Sequence, residues 1–238
     1  MQEPTNPADR AKYAAARRAL DYIEPGTRLG LGTGSTAAFL VRLLGERAIA
    51  GLVCVPTSSR TVALARECGV AVTTLEQAGA LDLAIDGADE FDPDLNLIKG
   101  GGGALLQEKI VAAAAARMLV IADAGKQVQQ LGAFSLPVEV VRFGHGATLT
   151  HIARLIASED VDGREMTLRK RNGEVFVTDE GHYIYDLALG RIGDPSGLAT
   201  RLNALPGVVE TGLFIGLAEA AIIGHEDGRA EVIQPRGH

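Results

Sequence analysis

Hydrophobic and polar positions follow two rhythms along this chain. Over residues 9–24, DRAKYAAARRALDYIE, apolar side chains return every three or four positions and stop at Pro25-Gly26, which predicts an opening amphipathic helix. Short apolar runs then alternate with helical stretches: TRLGL, a helix over about 37–44, GLVCV, a helix around TVALAREC, VAVTTL, LDLAI, a long alanine-rich helix from Ala104 to Arg117, and MLVIA. Strand and helix in alternation predict a doubly wound, mostly parallel sheet with right-handed crossovers. After Gly132 the pattern changes to PVEVVRF, a helix over about 147–157, and three short strand-like runs broken by Asn172-Gly173 and Asp179-Glu180-Gly181. Asn-Gly between alternating runs is a strong hairpin signal. The expected organisation is therefore a large α/β domain from residues 1–131 plus 206–238 and a small α+β domain over 132–205. GVVETGLF and AAIIGHEDGRAEVI are expected to return to the first domain, the latter ending in a hairpin and a loose tail.

Composition supports that class. The 238 residues are 47% hydrophobic, enough for one large core or two modest ones, and only 4% aromatic with no tryptophan, which suits a helix-covered sheet better than an aromatic-rich sandwich. The net charge of -7 has no local Lys/Arg cluster to offset it, so nucleic acid is not an expected partner. The short basic runs Arg17-Arg18 and Arg169-Lys170-Arg171 read as solvated faces. Cys54 and Cys68 are too few and too apolar in setting for a disulfide framework or a metal site. The N-terminus lacks the apolar core of a signal peptide, and no stretch approaches the ~20 apolar residues of a membrane span. A cytoplasmic protein with no membrane partner is expected.

Three segments carry chemistry. Gly30-Leu31-Gly32-Thr33-Gly34-Ser35-Thr36 falls where a strand gives way to a helix, so glycines, unpaired helix N–H groups and three hydroxyls converge as an anion cradle. The dinucleotide fingerprint fails here: Ser35 holds the third glycine position, and the next strand ends in Val55-Pro56-Thr57 without an acidic residue. The Gly-Lys-Ser/Thr of a nucleotide P-loop is also missing. In LDLAIDGADEFD, Asp86 follows an apolar strand directly and Asp89 comes just after Gly87. Ligands of open α/β sheets bind at the carboxyl ends of strands, so these carboxylates are aimed at the cleft; alternatively they cap the turn that follows. No histidine accompanies them, and Lys99 nearby would repel a cation, which argues against a metal.

The third segment is Lys99 followed by Gly100, Gly101, Gly102 and Gly103 and then ALLQEK. Four glycines cost backbone entropy, so they imply a main chain that must approach something closely, with N–H donors able to stabilise a developing oxyanion and Lys99 adding positive charge. Glu108 shares a helical stripe with Ala104, Val111, Ala112 and Ala115 and is expected to face inward. A surface glutamate is the commoner case, but an apolar setting beside a glycine run favours a general base for a carbon-bound proton.

In order, GLGTGST, AIDGADE, NLIKGGGGALLQEKIV, ADAGKQVQQLG and LPVEV resemble type A ribose-5-phosphate isomerase, from about Lys12 to about Gly224. The resemblance implies a Rossmann-like domain carrying a smaller α+β (ferredoxin-like) domain, no metal and no organic cofactor, a homodimer or homotetramer, and interconversion of D-ribose 5-phosphate and D-ribulose 5-phosphate through a cis-enediolate in the non-oxidative pentose phosphate pathway. It implies that Glu108 moves the proton, that Asp86 assists ring opening, and that Asp89 and Lys99 hold hydroxyls and developing charge. Gly100, Gly101 and Gly102 would offer backbone donors. Thr33, Gly34, Ser35 and Thr36 would contact substrate, the last two nearest its phosphate, with Gly87 and Ala88 alongside and Lys126 and Lys12 as phosphate ligands. Gln107, Gly125 and Arg142-Phe143 depart from the pattern. Two rivals share the scaffold: a sugar-phosphate sensor, disfavoured by Glu108, Asp86 and the lack of room for a helix-turn-helix before residue 25, and a coenzyme A transferase, which would need a CoA surface that the sequence does not offer.

Overall fold

The computed structural model describes residues 3–236. Helix α1 (Pro7–Ala19) precedes β1 (Arg28–Leu31), α2 (Ser35–Arg47), β2 (Val53–Pro56), α3 (Ser59–Glu67) and the single turn α4 (Leu75–Ala78). Next come β3 (Leu83–Asp86), the short β4 (Glu90–Phe91) and β5 (Leu97–Ile98), α5 (Leu105–Ala113) and β6 (Met118–Asp123). They are followed by β7 (Leu136–Val140), α6 (His145–Ile156), β8 (Glu165–Leu168), β9 (Lys170–Arg171), β10 (Glu174–Val175), β11 (Tyr183–Ala188), α7 (Pro195–Asn203) and β12 (Val208–Thr211). The chain closes with β13 (Leu213–Phe214), β14 (Ala220–Gly224) and β15 (Ala230–Ile233).

These elements form two compact units. Unit 1 takes residues 1–88, 107–127 and 216–238, and unit 2 takes 89–106 and 128–215. In unit 1 the sheet runs β15-β14-β6-β3-β1-β2, all parallel except the terminal β14–β15 hairpin. Alternate residues serve opposite faces, the period of a strand. Leu29, Leu31, Cys54, Leu83 and Ile85 join the core beneath α1 and α2, whereas Val55 meets Val111 of α5 on the other side. Both faces are covered, so the sheet is doubly wound as expected. The chain turns one way from β1 to β2 and the other way from β3 to β6, which makes the β1/β3 junction the topological switch point.

Unit 2 holds a four-stranded antiparallel sheet, β12-β7-β11-β8, with α6 and α7 over Leu136, Val138, Val140, Tyr185 and Leu187. Its order of elements is β-α-β-β-α-β, the ferredoxin-like arrangement. The hairpin read at Asn172-Gly173 joins β9 to β10, with both residues at positive φ, 54° and 85°.

Several expectations are corrected. The second unit is larger than 132–205, because β4 and β5 pair antiparallel with each other and with β13, the main chain of Val128 bonds to Phe91, and Glu90 accepts the Gly132 N–H at 2.9 Å. GVVETGLF belongs to this unit: β12 pairs with β7 and β13 with β5. VAVTTL contributes only a bridge between Cys54 and Val72 before Thr74 caps α4. The alanine-rich helix stops at Ala113, because Leu81 takes hydrogen bonds with Ala114 and Ala116 and pulls the chain into sheet pairing. Arg169 is no solvated cation; its side chain is 12% exposed.

Candidate active site

In unit 1 the predicted residues gather at the carboxyl ends of neighbouring strands. After β1 the chain enters α2 through Gly34, whose φ of 134° a side chain would strain, and no side chain caps the helix. The first N–H groups of α2, at Ser35 and Thr36, therefore lie where helix bonds do not reach them. Gly34 and Ser35 are exposed, and Thr36 is buried. Thr33 donates its N–H to Asp86 Oδ1 at 3.0 Å, and Gly87 donates to the same oxygen at 2.7 Å. Any side chain at Gly32 would overlap the Asp86 carboxylate, so that glycine lets the two strand ends close on each other.

The Thr33 hydroxyl does not point outward as the carried-over role suggests. It lies 2.9 Å from Thr57 Oγ1, 2.8 Å from Ser58 Oγ and 3.0 Å from Thr61 Oγ1. This buried hydroxyl cluster was missed by sequence reasoning; the only signal was Thr57-Ser58 directly after a strand. It fixes the backbone of this loop, while Ser35 at the start of α2 is exposed.

Glu108 sits in the first turn of α5 and is 5% exposed, as its stripe predicts. The helix can approach the sheet because Gly30 has no side chain: a Cβ there would lie 2.5 Å from Val111 Cγ1. Lys126 ends a 3-10 turn after β6, a strand adjacent to β3, with the Asp123 side chain accepting the Gly125 N–H at 3.1 Å. Lys12 lies on α1, half-buried, 3.7 Å from Asp9 Oδ1. Its neighbour Ala11 packs tightly on Gly224 at the carboxyl end of β14, the strand beside β6.

In unit 2, Lys99 follows β5 and is 2% exposed, with its N–H on Gly212 O at 2.9 Å and its Nζ 5.4 Å from the centre of the Phe214 ring. Gly100 and Gly103 have φ of 101° and 86°, and Gly103 N–H bonds back to Gly100 O at 2.9 Å, so the four glycines form a tight turn. Asp89 Oδ2 accepts the Gly101 N–H at 2.7 Å. That donor is thus engaged by Asp89, a role the sequence did not suggest for it. Ala88 closes the unit 1 segment that carries Asp86 and Gly87. Among the described residues no group of three or more His, Cys, Asp or Glu could hold a metal ion, and no helix is long and apolar enough to cross a membrane.

A doubly wound parallel sheet, with a glycine-entered helix and Asp86 at its switch point, defines the class: an α/β protein of the doubly wound type. Residues 53–228 match the family model for ribose 5-phosphate isomerase A (phosphoriboisomerase A). The ribose-5-phosphate isomerase A of Ruegeria pomeroyi is 58% identical over 235 residues, spanning 98% of this chain and 90% of that one. The ribose 5-phosphate isomerase of Plasmodium falciparum superposes with a TM-score of 0.89 at 35% identity, covering 96% of this chain and all of that one. A D-ribose-5-phosphate isomerase in complex with phospho-erythronic acid gives a TM-score of 0.87 at 37% identity, with 94% and 97% covered. The chain belongs to the ribose-5-phosphate isomerase A family and is a pentose phosphate isomerase.

Proposed function

We propose that the chain interconverts D-ribose 5-phosphate and D-ribulose 5-phosphate through a cis-enediolate, with Glu108 as the base. The observation that carries this reading is a glutamate only 5% exposed in the first turn of the helix that follows Lys99 and the glycine turn. Asp86 assists opening of the furanose. Glu108 then takes the proton from C2, the freed pair forms the C1–C2 double bond, and charge collects on O1, where Lys99 and the glycine turn neutralise it. The O2 proton then passes to O1, and collapse of the enediolate takes the proton back from Glu108 at C1 and leaves the carbonyl at C2.

Asp89 holds a substrate hydroxyl while orienting the glycine turn. Ser35, Thr36 and the α2 N-terminus receive the phosphate, with Lys126 and Lys12 adding charge. A family member in complex with phospho-erythronic acid supports the enediolate route, since the carboxylate of that phosphorylated polyhydroxy acid resembles a charged enediolate in chemistry. The enzyme works in the cytoplasm as a homodimer or homotetramer.

Purified, EDTA-treated protein mixed with ribose 5-phosphate should form ketose without added metal. In the same assay Glu108→Gln should bind ribose 5-phosphate nearly as well and turn over orders of magnitude more slowly. Near-wild-type turnover in that variant overturns the assignment of Glu108.

A further inference from the structure

Asp86, only 4% exposed, receives two main-chain donors on one oxygen: the N–H groups of Thr33 and Gly87 donate to its Oδ1 at 3.0 and 2.7 Å. Two amides on the same oxygen hold it in place, and with Oδ1 and the Cα fixed the second oxygen projects in one direction. Gly87 is the next residue in the chain, so its amide is aimed by the end of β3 itself. The Thr33 amide comes from the loop after β1, and its aim depends on what holds that loop.

Within unit 1 the loop is held by a chain of hydroxyls. The peptide that joins Gly32 to Thr33 is planar, with its C=O and N–H pointing in opposite directions. Thr61 Oγ1 donates to the Gly32 carbonyl at 3.1 Å on one side, and Asp86 takes the Thr33 N–H on the other. Each hydroxyl of the cluster carries one proton. The following order uses every one of them: Thr57 donates to Thr33 at 2.9 Å, Thr33 to Ser58 at 2.8 Å, Ser58 to Thr61 at 3.1 Å, and Thr61 to Gly32 O. All four side chains are buried. Ser58 also caps α3 by accepting the Thr61 N–H at 3.1 Å, so Thr61 is set on a fixed helical turn. Successive hydrogen bonds polarise one another, so the Thr61 hydroxyl both aims and strengthens the amide that faces Asp86.

We infer that Thr61 is a positioning residue for the ring-opening step: through the Gly32–Thr33 peptide it fixes the direction of the Asp86 carboxylate. The inference rests on the reading of Asp86 as the group that assists opening of the furanose. In that step the O1 hydroxyl loses its proton, the C1 carbonyl forms, the C1–O4 bond breaks and O4 takes a proton. A carboxylate that accepts the first proton and returns it at O4 has to face both oxygens, so its direction governs this step.

The test is Thr61→Val, which keeps the shape of the side chain and removes the hydroxyl, read in two assays. Isomerisation of ribose 5-phosphate needs the ring opened. Uptake of deuterium from heavy water into C1 of ribulose 5-phosphate does not, because the only hydroxyl that could close a furanose on its carbonyl, at C5, carries the phosphate. The kcat/KM for ribose 5-phosphate should fall about 10-fold or more, the usual effect of removing a group that orients a functional one, while deuterium uptake stays within about twofold of wild type. Thr61→Ser, which restores the hydroxyl, should bring isomerisation back to within about twofold of wild type. If Thr61→Val fails to fold, Thr57→Val removes the first donor of the chain instead and should give a smaller loss with the same selectivity. Equal losses in the two assays, or isomerisation within about twofold of wild type in a folded Thr61→Val, overturn the inference. Asp86→Asn in the same assays separates the two layers. If it too fails to slow isomerisation selectively, the ring-opening reading of Asp86 falls; if it alone does so, the inference about Thr61 falls and that reading stands.

Discussion

At the scale of single residues, burial decides which charges matter. Glu139 on β7 is 1% exposed, with His182 Nδ1 2.9 Å and Thr178 Oγ1 3.0 Å from its Oε1. Burial pushes its carboxyl up, opposed by the hydrogen bonds to His182 and Thr178, while Glu180 pushes the same way as burial. A carboxyl raised on folding favours the folded state while protonated, so its contribution is complete below the unfolded value of roughly 4.3 and is lost as pH rises through the folded one. In urea unfolding followed from acid to neutral pH, the stability of wild type relative to Glu139→Gln should therefore decline. A difference that stays flat with pH would exclude Glu139 as its source. Lys126→Ala should raise KM more than it lowers kcat, because phosphate is held alike in ground and transition states; an unchanged KM removes Lys126 from the phosphate site. Glu108 was legible in the sequence because its apolar stripe is local. Arg169 and the Thr33 cluster were not: three consecutive basic residues look like surface, and Thr57, Ser58 and Thr61 meet Thr33 only once β1 and β2 pair.

At the scale of elements, the position of α5 depends on Gly30. A methyl there would press on Val111 Cγ1 at 2.5 Å and on Ala84 Cβ at 3.1 Å. Gly30→Ala should cost about 1–3 kcal/mol, as overpacking does. It should also lower kcat, because the strained helix carries Glu108. Val111→Ala in the same chain should recover part of both losses; strictly additive effects on urea stability would mean that the two residues do not press on each other. Most of these elements could be read from periodicity. Those that could not are elements whose partners are distant: β4, β5 and β13 are two residues each, too short for alternation to register, and the last turn of the alanine run yields to pairing with Leu81.

At the scale of the whole molecule, neither compact unit is continuous in sequence: the chain passes from one to the other after residues 88, 106, 127 and 215. A fragment of residues 128–215 should not fold stably, since β13 would lose β5 and the Gly132 and Phe134 amides would lose Glu90. Circular dichroism and hydrogen exchange on that fragment check this, and a cooperative melt with native-like protection would refute it. The doubly wound class and the order of the motifs were legible because they rest on local patterns; membership of 89–106 in the second unit was not, because it rests on pairing across more than a hundred residues. The chain leaves unit 1 after Ala88 and returns to it at Gln107, so Asp89, Lys99 and the glycine turn are encoded in one uninterrupted stretch. One genetic exchange across that short span would carry Asp89, Lys99 and the glycine turn together in a single inherited event, while the recipient kept its own residue 108.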